Sequence, residues 1–145
     1  MTSTKEDDVL NEELQELYLI SKHWISDLEF LTGEIDFLKK LVFGKTFYPL
    51  IQANDLEKVA ETLIKAEWIL DEQSRLKSGI FNHLQTLKPY VLRSIKNYNV
   101  SLIELHSQLD NQLRELMLDF ISVKNVVFDM TIQRLKKNNA TPELY

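Results

Sequence analysis

Apolar side chains recur along this chain in steps of three and four residues, with no sustained alternation in steps of two. The first segment reads Leu10, Leu14, Leu17, Ser21, Trp24, Leu28, Leu31, Ile35, Leu38, Val42, with Ser21 the one polar member. A residue on every turn of a 3.6-residue helix falls on one face, so this spacing predicts a long amphipathic helix and excludes a strand. Thr4 is placed to cap its start, Glu6, Asp7 and Asp8 favour the positive end of the helix dipole, and Gly44 stands where a left-handed stop belongs. The first helix is expected over residues 5–43.

Asn54-Asp55-Leu56-Glu57 has the form of a capping box and opens a second helix. Its seam runs Leu56, Val59, Leu63, Ala66, Leu70, Gln73, Lys77, Ile80, Leu84, Leu87, Val91. The register passes through Pro89, which removes one hydrogen bond and crowds the carbonyl four residues back. A helix over 55–97, kinked near Pro89, is expected. Ser101-Leu102-Ile103-Glu104 repeats the capping pattern and opens a third helix over 101–137. Its seam is Leu102, His106, Leu109, Leu113, Leu116, Phe120, Val123, Val127, Met130, Arg134, and residues 138–145 read as a frayed tail.

The link between the second and third helices is short, which makes them antiparallel neighbours. The first link holds Phe47, Tyr48, Pro49, Leu50 and Ile51 and should fold over the end of the bundle, because leaving these in water costs several kcal/mol. Charge supports an up-down-up order. Glu6, Asp7, Asp8, Glu12, Glu13 and Glu16 crowd the start of the chain, while Lys88, Arg93 and Lys96 lie near the end of the second helix. Antiparallel packing brings these stretches together, and such pairs favour one orientation over its reverse. The expected fold is all-α, an antiparallel up-down-up bundle of three long helices in a single domain spanning 1–145.

Composition narrows the functional classes. With 145 residues, 44% hydrophobic and 27% charged, the chain is long enough for one core and too apolar to stay unfolded. Only three glycines and three prolines are present, too few for a turn-rich all-β domain. Without cysteine there is no disulfide, thiolate nucleophile or thiolate metal site. A net charge of -5 argues against nucleic acid as a partner, since phosphates need a basic surface. The polar, acidic stretch Met1 to Asp8 does not resemble a targeting signal, no stretch reaches the ~18 apolar residues of a membrane span, and a cytoplasmic protein is expected.

Catalytic chemistry finds little footing. Carboxylate-bridged di-metal bundles use Glu-x-x-His pairs, but Ile20, Ile80 and Ile103 stand three residues before His23, His83 and His106. His23 with Asp27, and His106 with Asp110, have helical i,i+4 spacing, which serves a surface ion pair as readily as a metal. His106 lies on its seam and His83 flanks one, so the simplest reading of both is a partly buried histidine bonded to a neighbour. There is no Gly-x-Ser-x-Gly, and Gly44-Lys45-Thr46 lacks the upstream glycine and preceding strand of a phosphate-binding loop. No catalytic residue, cofactor or metal ligand is assigned, and the chain is read as not an enzyme.

One feature exceeds the needs of a three-helix core. The third helix carries a second apolar stripe, Leu118, Ile121, Asn125, Phe128, Ile132 and Leu135, on roughly the opposite side from its seam. A corner helix of a small bundle buries one broad face, not two. Trp68 and Ile64 on the second helix, and Phe30, Phe37 and Leu41 on the first, also lie off the seams and toward the end that holds the first link. Either the apolar link and a wider bundle cross-section cover this surface, or it is a contact site, as contiguous apolar patches usually are, with aromatics as natural anchors. The expected interface is Trp68, Leu118, Ile121, Phe128, Ile132 and Leu135. The expectation is a helical interaction or scaffold protein, in the manner of a coiled coil, whose partner is a second copy in a homodimer or another helical protein. The alternative is a bundle that takes a small apolar ligand or a metal ion between its helices, with His23, His83 and His106 as ligand candidates. Membrane-surface binding is disfavoured, since Lys136 and Lys137 are too few to line a polar face.

Overall fold

A computed structural model describes residues 5–43, 55–92 and 100–139, and the side chains of 12–43, 55–92 and 100–136. Three helices account for nearly all of these: α1 Lys5–Phe43, α2 Leu56–Val91 and α3 Val100–Asn139. They pack as an all-α three-helix bundle, with α1 and α3 running one way and α2 the other. Among the described residues no helix is long and apolar enough to cross a membrane.

The seams explain the packing. On α1, Leu14, Ser21, Trp24, Leu28, Leu31, Ile35, Leu38 and Val42 are all buried. On α3, the seam from Leu109 through Leu113, Leu116, Phe120, Val123, Val127 and Met130 to Arg134 is buried without a break. Of the expected α2 seam, Val59, Ala66, Gln73, Ile80, Leu84 and Leu87 are buried. Leu56 is exposed and Leu63 half-buried, while Ile69, Leu76 and His83 are buried although they lie off it. Val59, Ala66, Gln73, Ile80 and Leu87 stay buried at strict seven-residue spacing, so the inward face keeps one direction and is flanked by the line through Ile69, Leu76 and His83 instead of the line through Leu56, Leu63 and Leu70.

The helix ends also refine the expectation. α2 continues through Pro89 to Val91, and the Leu92 amide donates to the Lys88 carbonyl at 3.0 Å. The carbonyl that loses its bond to Pro89 belongs to Gln85, on an exposed position where water can take it. α3 begins at Val100, one residue before Ser101, and Asn138 and Asn139, expected in a frayed tail, are helical. The caps expected at Thr4, Gly44 and Asn54, the apolar link Phe47 to Ile51, and the stretch of α2 expected between residues 93 and 97 lie outside the described residues.

By packing, the helices divide between two compact units. The first takes the described residues of Met1–Phe30 and Gln73–Glu115. Leu14, Leu87 and Leu102 form a buried cluster there, with Leu17, Tyr18 and Tyr90 against it, so the start of α1 meets the end of α2 and the start of α3. Moving along α3 from His106 to Leu109 moves back along α2 from His83 to Gly79, whose missing side chain lets Leu109 Cδ2 come within 3.6 Å of where a Cβ would stand. Polar groups penetrate this unit. Gln73 Nε2 donates to the Leu28 carbonyl at 3.0 Å, joining α2 to α1, and buried Ser21 donates to the Leu17 carbonyl at 2.7 Å. Lys77 pairs with Glu29 at 3.1 Å at its surface.

The second unit takes the described residues of Leu31–Glu72 and Leu116–Tyr145. Its core is apolar: Leu31, Ile35, Leu38 and Val42 of α1, Val59, Ala66 and Ile69 of α2, and Leu116, Phe120, Val123, Val127 and Met130 of α3. The Lys39 ammonium pairs with Glu67 between α1 and α2. Buried Arg134 pairs with Asp55, which precedes α2, and its Nη1 donates to the Met130 carbonyl at 2.9 Å.

Candidate functional site

The second stripe of α3 stands open in the second unit. Leu118 is 66% exposed, Ile121 and Ile132 47% each, and Leu135 40%. Asn125 is exposed as well, and Phe128 is half-buried with the Lys124 ammonium 5.9 Å from its ring centroid. The helix cannot hide these side chains, because its seam residues already occupy the opposite face against α1 and α2. Their spacing keeps them in one line along the outside, about one residue per turn over five turns.

Trp68 is 48% exposed on α2, with Ile64 more exposed one turn before it. Both belong to the same unit as the stripe, as do exposed Phe37 and half-buried Leu41. Phe30 is exposed too and is the last α1 residue of the first unit. Leu19, Phe81 and Leu92 are further exposed apolar side chains that the seam pattern left unremarked. Their signal was available, since each lies off every seam, but single apolar residues on a surface carry no functional meaning.

Ionisable groups flank the stripe. Lys124 precedes Asn125 and Asp129 follows Phe128, and among the described residues neither side chain has an ion-pair partner. Elsewhere Asp110 pairs with Arg114 at 3.0 Å and Asp36 with Lys40 at 3.1 Å, each within its own helix.

The first unit holds a different arrangement, in which all three helices meet through aromatic nitrogen chemistry. His83 Nε2 on α2 lies 3.1 Å from His106 Nδ1 on α3, and the His106 ring stacks on Trp24 of α1 with centroids 4.5 Å apart and planes 23° apart. His83 is completely buried, and among the described residues its Nδ1 has no hydrogen-bond partner. A bare acceptor nitrogen there costs less than an orphaned N–H, so the favoured tautomer has His83 Nε2–H donating to His106 Nδ1. Burial, and then the neighbouring His106, push the His83 pKa down from 6.5 to about 4. Burial also lowers His106, against an opposing pull from Asp110. Both rings are therefore neutral at pH 7.

His23 does not join this pair. It is exposed on α1 and lies 3.7 Å from Asp27, the surface alternative its spacing allowed. Among the described residues no three His, Asp or Glu side chains converge as a metal site, and His83 with His106 supply two nitrogens. The sequence indicated separate histidines, each bonded to some neighbour, and missed that the neighbour of each is the other. Compared with known proteins, the chain matches no family model, no curated protein and no solved structure.

Proposed function

We propose that this chain is a non-enzymatic helical interaction protein that associates with a second copy of itself through the outward stripe of α3. The observation that carries this reading is the line of exposed apolar side chains at Leu118, Ile121, Ile132 and Leu135, interrupted by exposed Asn125 and half-buried Phe128. Removing such a line from water is favourable by roughly 25 cal/mol per Å² of apolar surface, and helix-on-helix packing is the means the residue spacing provides. Trp68 gives the same unit a further exposed aromatic anchor.

The test is sedimentation equilibrium or light scattering at concentrations up to ~100 µM, where an association of even modest affinity is populated. Wild type should show the mass of two chains. Leu118→Glu with Ile132→Glu should show the mass of one, with its thermal unfolding little changed, because both positions are exposed in the protomer. Phe128→Glu should also dissociate the pair, but at some cost in stability because Phe128 is half-buried. A wild type that stays a single chain throughout overturns the proposal. The second reading, a bundle that binds a metal ion or a small apolar ligand, draws on the His83–His106 pair. Stoichiometric metal in the purified protein would put it in first place.

A further inference from the structure

We infer that the two copies meet with their α3 helices parallel and in register, each stripe residue facing its own counterpart. This rests on the self-association proposed above and specifies its geometry. The steps from Leu118 to Leu135 are three, four, three, four and three residues, the a/d rhythm of a two-stranded coiled coil. Leu118, Asn125 and Ile132 then occupy a positions, and Ile121, Phe128 and Leu135 occupy d positions.

The flanking charges choose the direction. In this register Lys124 takes the g position before Asn125, and Asp129 takes the e position after Phe128. In a parallel pair a g residue lies beside the e residue five positions on in the other helix. Lys124 of each copy therefore meets Asp129 of the other, giving two ion pairs from four groups that have no ion-pair partner among the described residues of the protomer. An antiparallel pair sets g against g and e against e, and leaves Lys124 and Asp129 on opposite sides of the contact. Asn125 points the same way. A single polar residue at an a position is satisfied when it meets its own amide across a parallel pair, and this holds the register at some cost in stability. Leu118 through Leu135 all lie in one compact unit, so the contact needs nothing from the other.

The lack of cysteine makes the test clean, because an introduced thiol has no competitor. Ile121→Cys and Leu135→Cys are made separately in the full chain and oxidised at concentrations where sedimentation shows two chains. A parallel pair cross-links each variant to itself. An antiparallel pair about the stripe's midpoint separates the two copies of residue 121 by ~16 Å and those of residue 135 by ~25 Å, at 1.5 Å per residue. Neither variant would then cross-link alone, but a mixture of Leu118→Cys with Leu135→Cys would. Lys124→Asp and Asp129→Lys should each weaken association about tenfold, and the double exchange should restore it to within about threefold. Self-cross-linking with rescue supports the inference. Cross-linking in the mixture alone, or absence of rescue, overturns the parallel register while leaving self-association standing. Two-chain mass with no cross-link at all places the contact elsewhere and overturns the inference. A single chain by sedimentation overturns the proposed function itself.

Discussion

His83 shows how much one side chain can ask of its surroundings. It is wholly enclosed, it gives its one N–H to His106, and it remains uncharged because burial penalises the imidazolium. The groups that face it are His106, with Asp110 one turn further along α3, and the uncharged ring of Trp24 against His106 from α1. The folded pKa of about 4 lies below the ordinary 6.5. Between these values the unfolded chain binds a proton that the folded chain refuses. Stability is therefore fully present above pH 6.5 and falls as the pH drops toward 4, by roughly 2 to 3 kcal/mol over the window. Chemical denaturation at pH 7 and 4.5 measures this. His83→Leu should lose distinctly less stability on acidification than wild type, and equal losses would contradict the assignment.

Arg134 makes the opposite case, a buried charge held by a partner. Replacing Asp55 with Asn withdraws the carboxylate from an enclosed guanidinium and should cost about 2 kcal/mol, moderated because Asp55 is itself partly open to water. Arg134→Met, which removes the charge along with its demand for a partner, should cost less. A denaturation midpoint lower for Arg134→Met than for Asp55→Asn would contradict this account of the pair.

At the scale of the helix, length and seam matter more than individual caps. Each helix is nearly forty residues long, and its stability comes from a face that others cover. Gly33 is the weak point of α1: it sits mid-helix on an exposed position, and a methyl group there would meet nothing within 4 Å. Gly33→Ala should stabilise the protein by about 0.5 to 1 kcal/mol through helix propensity alone, raising the thermal midpoint by a few degrees. An unchanged or lower midpoint would mean that the glycine serves a purpose other than helix formation. The flank of the α2 seam belongs to this scale too. The repeat through Leu56, Leu63, Leu70, Lys77 and Leu84 is visible in the sequence, as is the parallel line through Ile69, Leu76 and His83. Which of the two flanks the buried line Val59, Ala66, Gln73, Ile80 and Leu87 is decided by the packing of the neighbouring helices.

At the scale of the whole chain, the sequence by itself determined three helices, most of their inward faces, and the outward stripe on α3. Those are consequences of local periodicity, because a helix fixes the direction of every side chain around its own axis. Even the direction of the chain, with α2 opposed to its neighbours, was legible from the short second link and from acids at the start of the chain that call for the bases near the end of the second helix. What periodicity leaves undetermined is height, the level at which one helix stands against the next. Only the tertiary structure decided that His83 and His106, twenty-three residues apart, meet over Trp24, and that Arg134 reaches Asp55 across seventy-nine. The two units arise in the same way, because packing couples residues distant in the chain as strongly as neighbours. A sliding shift of one helix by a single turn would preserve every apolar face and dissolve each of those polar contacts, which is why the faces could be read from the sequence and the meetings could not.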